Sequence, residues 1–323
     1  MTTTALPRRT TLNLRAHPAA LSCLALIVLP FTLPSPALAT DIVVWGLFAL
    51  GFNLVYGYLG LLSFGHAALF GGGAYACGIV ITRAGLPPSL AWLAAIAAGI
   101  AAGTAIAFVM GMLATRTRGI YFAMVTLALS QCAYFVAYQA EPWTGGENGL
   151  RGVNLTRIPL PGLTLDFLDP LTRYAVTAAF GMLAFVLLAR ILASPFGAAM
   201  EAVRENEGRA RACGFDVTRI RLLGFTLSGG FAGLAGALYA LKLGTVPIES
   251  MEIAVSGQAV MMALLGGAGT FFGPFIGAAL IIGIETEVSA WTEHWQLVIG
   301  TLFVLCVLFF RRGVWGTLLA RLP

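Results

Sequence analysis

The sequence predicts an all-α fold, a polytopic membrane helical bundle of about ten transmembrane helices, some of them interrupted. Three observations carry this. The chain of 323 residues is 59% hydrophobic and 10% charged, with a mean hydropathy of +0.88, a balance foreign to water-soluble domains. Its apolar runs have membrane-spanning length instead of alternating over short segments, which selects helices over barrel strands. Its arginines cluster at the ends of those runs, where they set orientation.

From the N-terminus, a tail over residues 1–18 carries Arg8, Arg9 and Arg15 and precedes an apolar run over 19–38 that ends in Ala37, Leu38 and Ala39. A basic start and a small-x-small ending resemble a signal peptide. A retained first helix is the expectation, because those arginines then share a side with the later basic clusters. Further spans are expected over 42–58, 65–82, 89–113, 120–139, 171–193, 222–243, 253–265, 274–288 and 295–310. The transmembrane domain is thus 19–312, followed by a tail over 313–323. With the N-terminus inside, Arg116, Arg118, the 201–221 cluster, Arg311 and Arg312 all become cytoplasmic, and a loop over about 140–170 lies outside. Both termini are expected in the cytoplasm. Arg83, Arg151, Arg157, Arg173 and Lys242 run against this assignment.

The connection over about 194–221 is the long polar segment of the second half. Its portion from Glu201 to Cys213 has helix-forming composition, with Gly214 as the expected stop. Small residues recur every four positions at Ala94, Ala98 and Ala102, at Ala95, Gly99 and Gly103, at Gly229, Gly233 and Ala237, and at Ala232, Gly236 and Ala240. Such stripes let helices approach closely where lipid supplies no hydrophobic force.

Two segments break the helical pattern, one over Gly57–Gly73 and one over Gly266–Gly277, both dense in glycine. Freed backbone groups at membrane depth are tolerated only inside protein or beside a water-filled cavity. One break in each half suits a transport path; two tight hairpins at the cytoplasmic surface suit the pattern equally. The polar groups inside spans are Asn53, His66, Thr126, Ser130, Gln131, Gln258, Glu285 and Glu287, each a functional candidate because burial there is expensive. Glu285 and Glu287 are expected near the outer interface with Trp291, His294 and Trp295. His66 beside Ser63 suggests a nucleophile pair but lacks an orienting third group, so helix-to-helix hydrogen bonding is expected of it. The absence of a mid-bilayer charge speaks against an ion-driven pump. The five cysteines are dispersed, with no metal or disulfide spacing, and the net charge of +5 is spent on orientation rather than on nucleic acid.

Gly51-Phe-Asn-Leu-Val-Tyr-Gly-Tyr-Leu-Gly-Leu-Leu-Ser-Phe-Gly-His-Ala-Ala68, with Gly72-Gly-Ala-Tyr75, resembles the N-terminal signature of the branched-chain amino acid ABC-importer permeases of LivM type. So do Thr144–Leu150, Arg204-Glu-Asn-Glu207 through Gly214, the Gly233–Tyr239 helix, and Leu265–Thr270 with Gly273-Pro274. The resemblance runs from about Asp41 to Arg312 in the family's order, and is specific as a set. It implies a permease subunit in a bacterial inner membrane, not an enzyme, that moves a small polar solute by alternating access. It binds no cofactor of its own, and the sequence has no phosphate-binding GxxxxGK[ST] loop. ATP and magnesium belong to two separate cytoplasmic ATPase subunits, and the other implied partners are a second permease of LivH type, an external solute-binding protein and membrane lipid.

The resemblance assigns ATPase coupling to Glu201, Arg204, Glu205, Asn206, Glu207, Arg209 and Gly214. Gly208 departs from the family, which more often has a bulkier residue there; in mid-helix it would cost about 1 kcal/mol against alanine. A path or gate is expected of Asn53, Ser63, Gly65, His66, Gln131, Gln258, Gly266, Gly267 and Gly269. Binding-protein docking or an outer gate is expected of Trp143, Gly145, Gly146, Glu147 and Arg151. Branched-chain or other amino acids are the expected cargo. The alternatives are an ABC permease for urea or amides, an ion-coupled secondary transporter, a Ser63–His66 hydrolase, and a channel, for which no ring-forming filter is present.

Overall fold

The computed structural model describes residues 18–153, 157–160, 163–292, 294–309 and 313–321. Arg8, Arg9, Arg15, Arg311 and Arg312, on which part of the orientation argument rests, lie outside these. The helices are α1 (Pro18–Thr32), α2 (Pro36–Leu59), α3 (His66–Arg83), α4 (Pro88–Ala114), α5 (Ile120–Gln139), the short α6 (Glu141–Thr144), α7 (Pro170–Leu192), α8 (Pro195–Glu205), α9 (Glu207–Ala212), α10 (Val217–Leu243), α11 (Ile253–Gly266), α12 (Gly273–Ser289), α13 (Trp295–Phe309) and α14 (Gly313–Arg321). Each predicted span has its helix. Five of them, α2, α4, α5, α7 and α10, are long and apolar enough to cross a membrane. Among the described residues strand is confined to two antiparallel pairs, β1 (Leu150–Arg151) with β4 (Thr245–Val246), and β2 (Arg157–Leu160) with β3 (Leu163–Asp166).

Helix boundaries follow local chemistry. Proline occupies the first turn of α2, α4, α7 and α8, where its missing N–H costs nothing. Ser35, Asp169 and Asp216 cap α2, α7 and α10 by accepting from backbone N–H groups one turn on. Gly60 and Gly244 end α2 and α10 in the left-handed conformation. The first predicted span is shorter than expected, because Ser35-Pro36 starts a new helix. Ala37, Leu38 and Ala39 consequently sit inside α2, with Ala39 fully buried. Helix α1 packs on α7, where Tyr174 donates to the Leu26 carbonyl.

Helix α2 is the axis of the bundle. Of its apolar window 89% is buried, against 28% to 33% in α4, α5 and α7, so those three carry the outward, lipid-suited surface. Around α2 the crossings of α3, α4 and α10 bring backbones together at glycine. A Cβ on Gly73 would lie 2.5 Å from the Gly233 Cα, one on Gly103 2.4 Å from the Gly229 carbonyl, and one on Gly236 1.9 Å from the Phe70 carbonyl. The glycines of the predicted small stripes therefore make contacts within this subunit, while Ala94, Ala98 and Ala102 are half-buried.

Three of the cations that ran against the orientation rule, Arg83, Arg173 and Lys242, are engaged by groups of the protein. Lys242 pairs with Asp41, and Arg173 donates to the Phe167 and Lys242 carbonyls. The Arg83 guanidinium lies 4.6 Å above the Trp143 ring and donates to the Pro142 carbonyl. The expected C-terminal tail is instead helix α14, packed on the start of α12, with the Trp315 and Phe272 rings 5.8 Å apart.

Candidate functional site

The two predicted breaks are real, and side chains from distant helices fill them. After Leu59 the chain leaves the helix at Gly60 and re-enters it at His66. Its backbone groups are satisfied in turn: Phe64 N–H donates to Thr126 Oγ1 at 3.2 Å, and Gly65 N–H to Ser63 Oγ at 3.1 Å. Ala67 N–H donates to Ser256 Oγ at 2.8 Å, while that hydroxyl donates to the Phe64 carbonyl at 2.9 Å. Irregular backbone at membrane depth survives when protein supplies such partners.

His66 fixes the depth of this break. Its Nε2 lies 2.8 Å from Ser228 Oγ, which donates to the Gly51 carbonyl at 2.6 Å. The Ser228 proton is thus committed to Gly51, so His66 is the donor through Nε2–H. Gly51 precedes Leu59 by eight residues, about 12 Å along a helix. Helix α3 therefore begins well inside the bundle, and the first break is no surface hairpin. The arrangement also removes the hydrolase reading, since His66 faces Ser228 and the Ser63 hydroxyl is engaged by its own loop.

The second break, between α11 and α12, has Gly267 and Gly269 at φ of +119° and +77°, conformations that side chains with a Cβ disfavour. Asn53 of α2 clamps it. Its Nδ2 donates to the Thr270 carbonyl at 3.0 Å, and its Oδ1 accepts from Gly269 N–H at 2.9 Å. From the other side Gly313 of α14 approaches Gly267 so closely that a Cβ would meet its Cα at 2.4 Å.

The polar segment meets both breaks at one residue. Arg204 of α8 donates to the Gly57 carbonyl, its stem touches Gly60, and its guanidinium stands against Gly269. The helix expected over Glu201–Cys213 is a pair, α8 and α9, separated at Asn206. Asn206 adopts an extended conformation (φ −157°, ψ 101°) and caps α9 by accepting from Arg209 N–H at 2.9 Å. Asparagine at such a site competes with helix continuation, which composition alone does not reveal. Gly208 then falls in the first turn of α9 and not in mid-helix, which removes most of the expected penalty, and Gly214 ends the pair at φ +88°.

Glu207 is engaged within the subunit. It accepts from Arg211 at 2.8 Å and from Arg221 at 2.9 Å, with Arg118 at 3.3 Å. It is an internal hub joining the α4–α5 turn, α9 and the buried Arg221 of α10. Glu201, Glu205 and Arg209 are exposed and remain the outward face of the pair.

At the opposite end, α6 and the following turn form a compact cap. Thr144 donates to the Ala137 carbonyl at 2.6 Å. Gly145, Gly146 and Gly149 all have positive φ, and a Cβ on Gly145 would sit 2.1 Å from the Gly149 carbonyl. Trp143, Glu147 and Arg151 are exposed here, while Gln131 and Gln258 are half-buried on α5 and α11. Ser228 and Ser256 were not singled out from the sequence, and Thr270 entered only as the end of a family motif. Serine is common in apolar helices, where most hydroxyls bond to their own turn, and nothing in their spacing marks Ser228 and Ser256.

A family model described as the branched-chain amino acid transport system / permease component matches residues 36–308. The chain is 31% identical over 301 residues to the high-affinity branched-chain amino acid transport system permease protein LivM of Salmonella typhimurium, covering 86% of this chain and 69% of that protein. The LivM of Escherichia coli gives the same identity and coverage. The autoinducer 2 import system permease protein LsrC of Klebsiella pneumoniae is 35% identical over 143 residues, 39% of this chain and 41% of that protein. No solved structure matches.

Proposed function

The chain belongs to the branched-chain amino acid transport permease family, and from that premise we propose that it is the membrane permease subunit of an ABC importer for branched-chain or related amino acids. It would act with a second permease, two cytoplasmic ATPase subunits that hold ATP and magnesium, and an extracytoplasmic solute-binding protein. About ten crossings with both termini cytoplasmic complete this proposal. The observation that carries the mechanism is the contact of Arg204 with both broken segments. A displacement of the α8–α9 pair by an ATPase would reach the α2–α3 and α11–α12 breaks through a single side chain. The work comes from the ATPases' unequal affinity for two states of the bundle, which Arg204 reports to the breaks.

In this arrangement Asn53, Ser63 and His66 are buried hinge supports of the conformation described here. Gln131 and Gln258 face the path, and Trp143, Glu147 and Arg151 meet the binding protein. The test is ATP-dependent uptake of labelled leucine by the reconstituted complex, with urea as comparator. Leucine uptake that requires ATP and drops when Glu205 and Arg209 are both changed to alanine, with assembly intact, supports the reading. Uptake of urea alone moves the cargo to amides. Leucine uptake driven by an ion gradient without ATP overturns the ABC mechanism.

A further inference from the structure

Helix α11 does not begin at the outer surface. The chain returns from Gly244 through β4 and a 3-10 turn over Ile248–Met251 that packs against α3, where a Cβ on Gly71 would meet Met251 Cγ at 2.2 Å. This turn exposes two carboxylates, Glu249 and Glu252, and a third, Glu147, projects from the cap above α5. The turn packs against α5, which carries Tyr134, and against the Gly146–Asn148 turn, which carries Glu147. Among the described residues none of the three carboxylates has an ion-pair or hydrogen-bond partner. The nearby cation Arg83 is engaged by Trp143 and Pro142.

Behind the carboxylates lie two hydroxyls without hydrogen-bond partners. Ser250, between Glu249 and Met251, is 4% exposed, and Tyr75 of α3 is 5% exposed. Tyr75 lies one helical turn after Gly71, on the α3 face that meets Ser250 and Met251 of this turn. An unmet buried hydroxyl is unfavourable and rare, and two of them behind an acidic rim mark a place that a ligand completes. The Tyr134 and Tyr138 rings stack at 6.3 Å and add π faces, which favour cations. The α11 side of this mouth is open, with Ile253 and Ala254 exposed and free space beside Gly257.

We infer that Glu249, Glu252, Glu147, Tyr134, Tyr75 and Ser250 form an extracytoplasmic subsite that receives the ammonium group of a small zwitterionic solute. An ammonium carries three donors and a positive charge, matching carboxylate and hydroxyl acceptors, whereas a free carboxylate would be repelled. The subsite deepens the transport reading and rests on it for the solute, but not for the chemistry of recognition.

The test is equilibrium binding to the complete complex in nanodiscs, without binding protein. The probes are leucine, isopentylamine (the leucine skeleton with only its amine) and 4-methylpentanoate (the skeleton with only its carboxylate). The two amines should bind, and 4-methylpentanoate should not. Glu249→Gln with Glu252→Gln should weaken amine binding roughly tenfold or more, the loss of charge-assisted hydrogen bonds. Tyr75→Phe should weaken it without altering assembly. Equal binding of 4-methylpentanoate, or amine binding indifferent to the glutamine pair, overturns the subsite. Lost affinity for the binding protein with unchanged amine binding also overturns it, assigning the acids to a lysine of that partner. Leucine uptake by the wild-type complex is scored separately: absent uptake with amine binding retained defeats the transport reading and leaves the subsite standing.

Discussion

Arg204, on a helix of the polar segment, donates a hydrogen bond to the carbonyl of Gly57 inside the apolar helix α2. The same guanidinium stands 2.8 Å from where a Gly269 side chain would begin. A water-facing helix and two membrane breaks thus share one polar contact. Arg204→Ala should lower leucine uptake on the order of tenfold, a typical coupling energy between sites. ATP hydrolysis by the complex should persist, so the measured ratio of solute moved to ATP consumed should fall. Arg204→Lys should recover only part, since an ammonium cannot span both breaks as the planar guanidinium does. An unchanged ratio in Arg204→Ala would remove Arg204 from the coupling route.

Asn53 gives a stability prediction. Its amide both donates to Thr270 and accepts from Gly269. Asn53→Leu leaves two backbone groups unmet and should cost about 2–5 kcal/mol. Asn53→Asp keeps the acceptor but not the donor, and should fall between the two. Thermal unfolding of the detergent-solubilised protein, followed by helical circular dichroism, orders the three proteins. Asn53→Leu unfolding with wild type would show that the clamp carries no stability.

These two contacts also show where the sequence was legible. Long apolar runs located the helices, five of them long enough to cross a membrane, because lipid leaves the backbone few alternatives. Asn53 and Arg204 stood out as a polar group in a span and a charge opening a family motif. Their meeting did not, since it joins positions 147 residues apart in one case and 217 in the other. The division at Asn206 was hidden by helix-forming neighbours on both sides, and Ser228 and Ser256 by their ordinary place in apolar helices. Helix α14 was missed because the Arg311-Arg312 pair before it reads as the end of the last span, and its amphipathic face has meaning only beside Phe272.

Glu207 is expected to act through its arginines. Removing it as Glu207→Ala leaves Arg221, 8% exposed, without its acceptor, and should destabilise by about 3–5 kcal/mol as an unpaired buried charge does. Arg221→Met alone should cost less, and the double variant should recover part of the loss of Glu207→Ala. A double-mutant cycle of unfolding free energies measures the coupling. Strict additivity would show that the hub is incidental.

The glycine crossings distinguish packing from mere permissiveness. Gly236→Ala would put a methyl 1.9 Å from the Phe70 carbonyl, between two helices already in backbone contact. Such overpacking should cost about 1–3 kcal/mol and lower the yield of folded protein. Gly257→Ala meets open space on α11 and replaces glycine by the best helix former, so its stability should hold or rise by up to about 1 kcal/mol. Both changes add the same methyl to a helix of this bundle, so helix propensity alone predicts that they behave alike. Folded yield and midpoint of thermal unfolding, compared side by side, decide the matter. If Gly236→Ala matched Gly257→Ala, the α3–α10 approach could not be as close as Phe70 and Gly236 require.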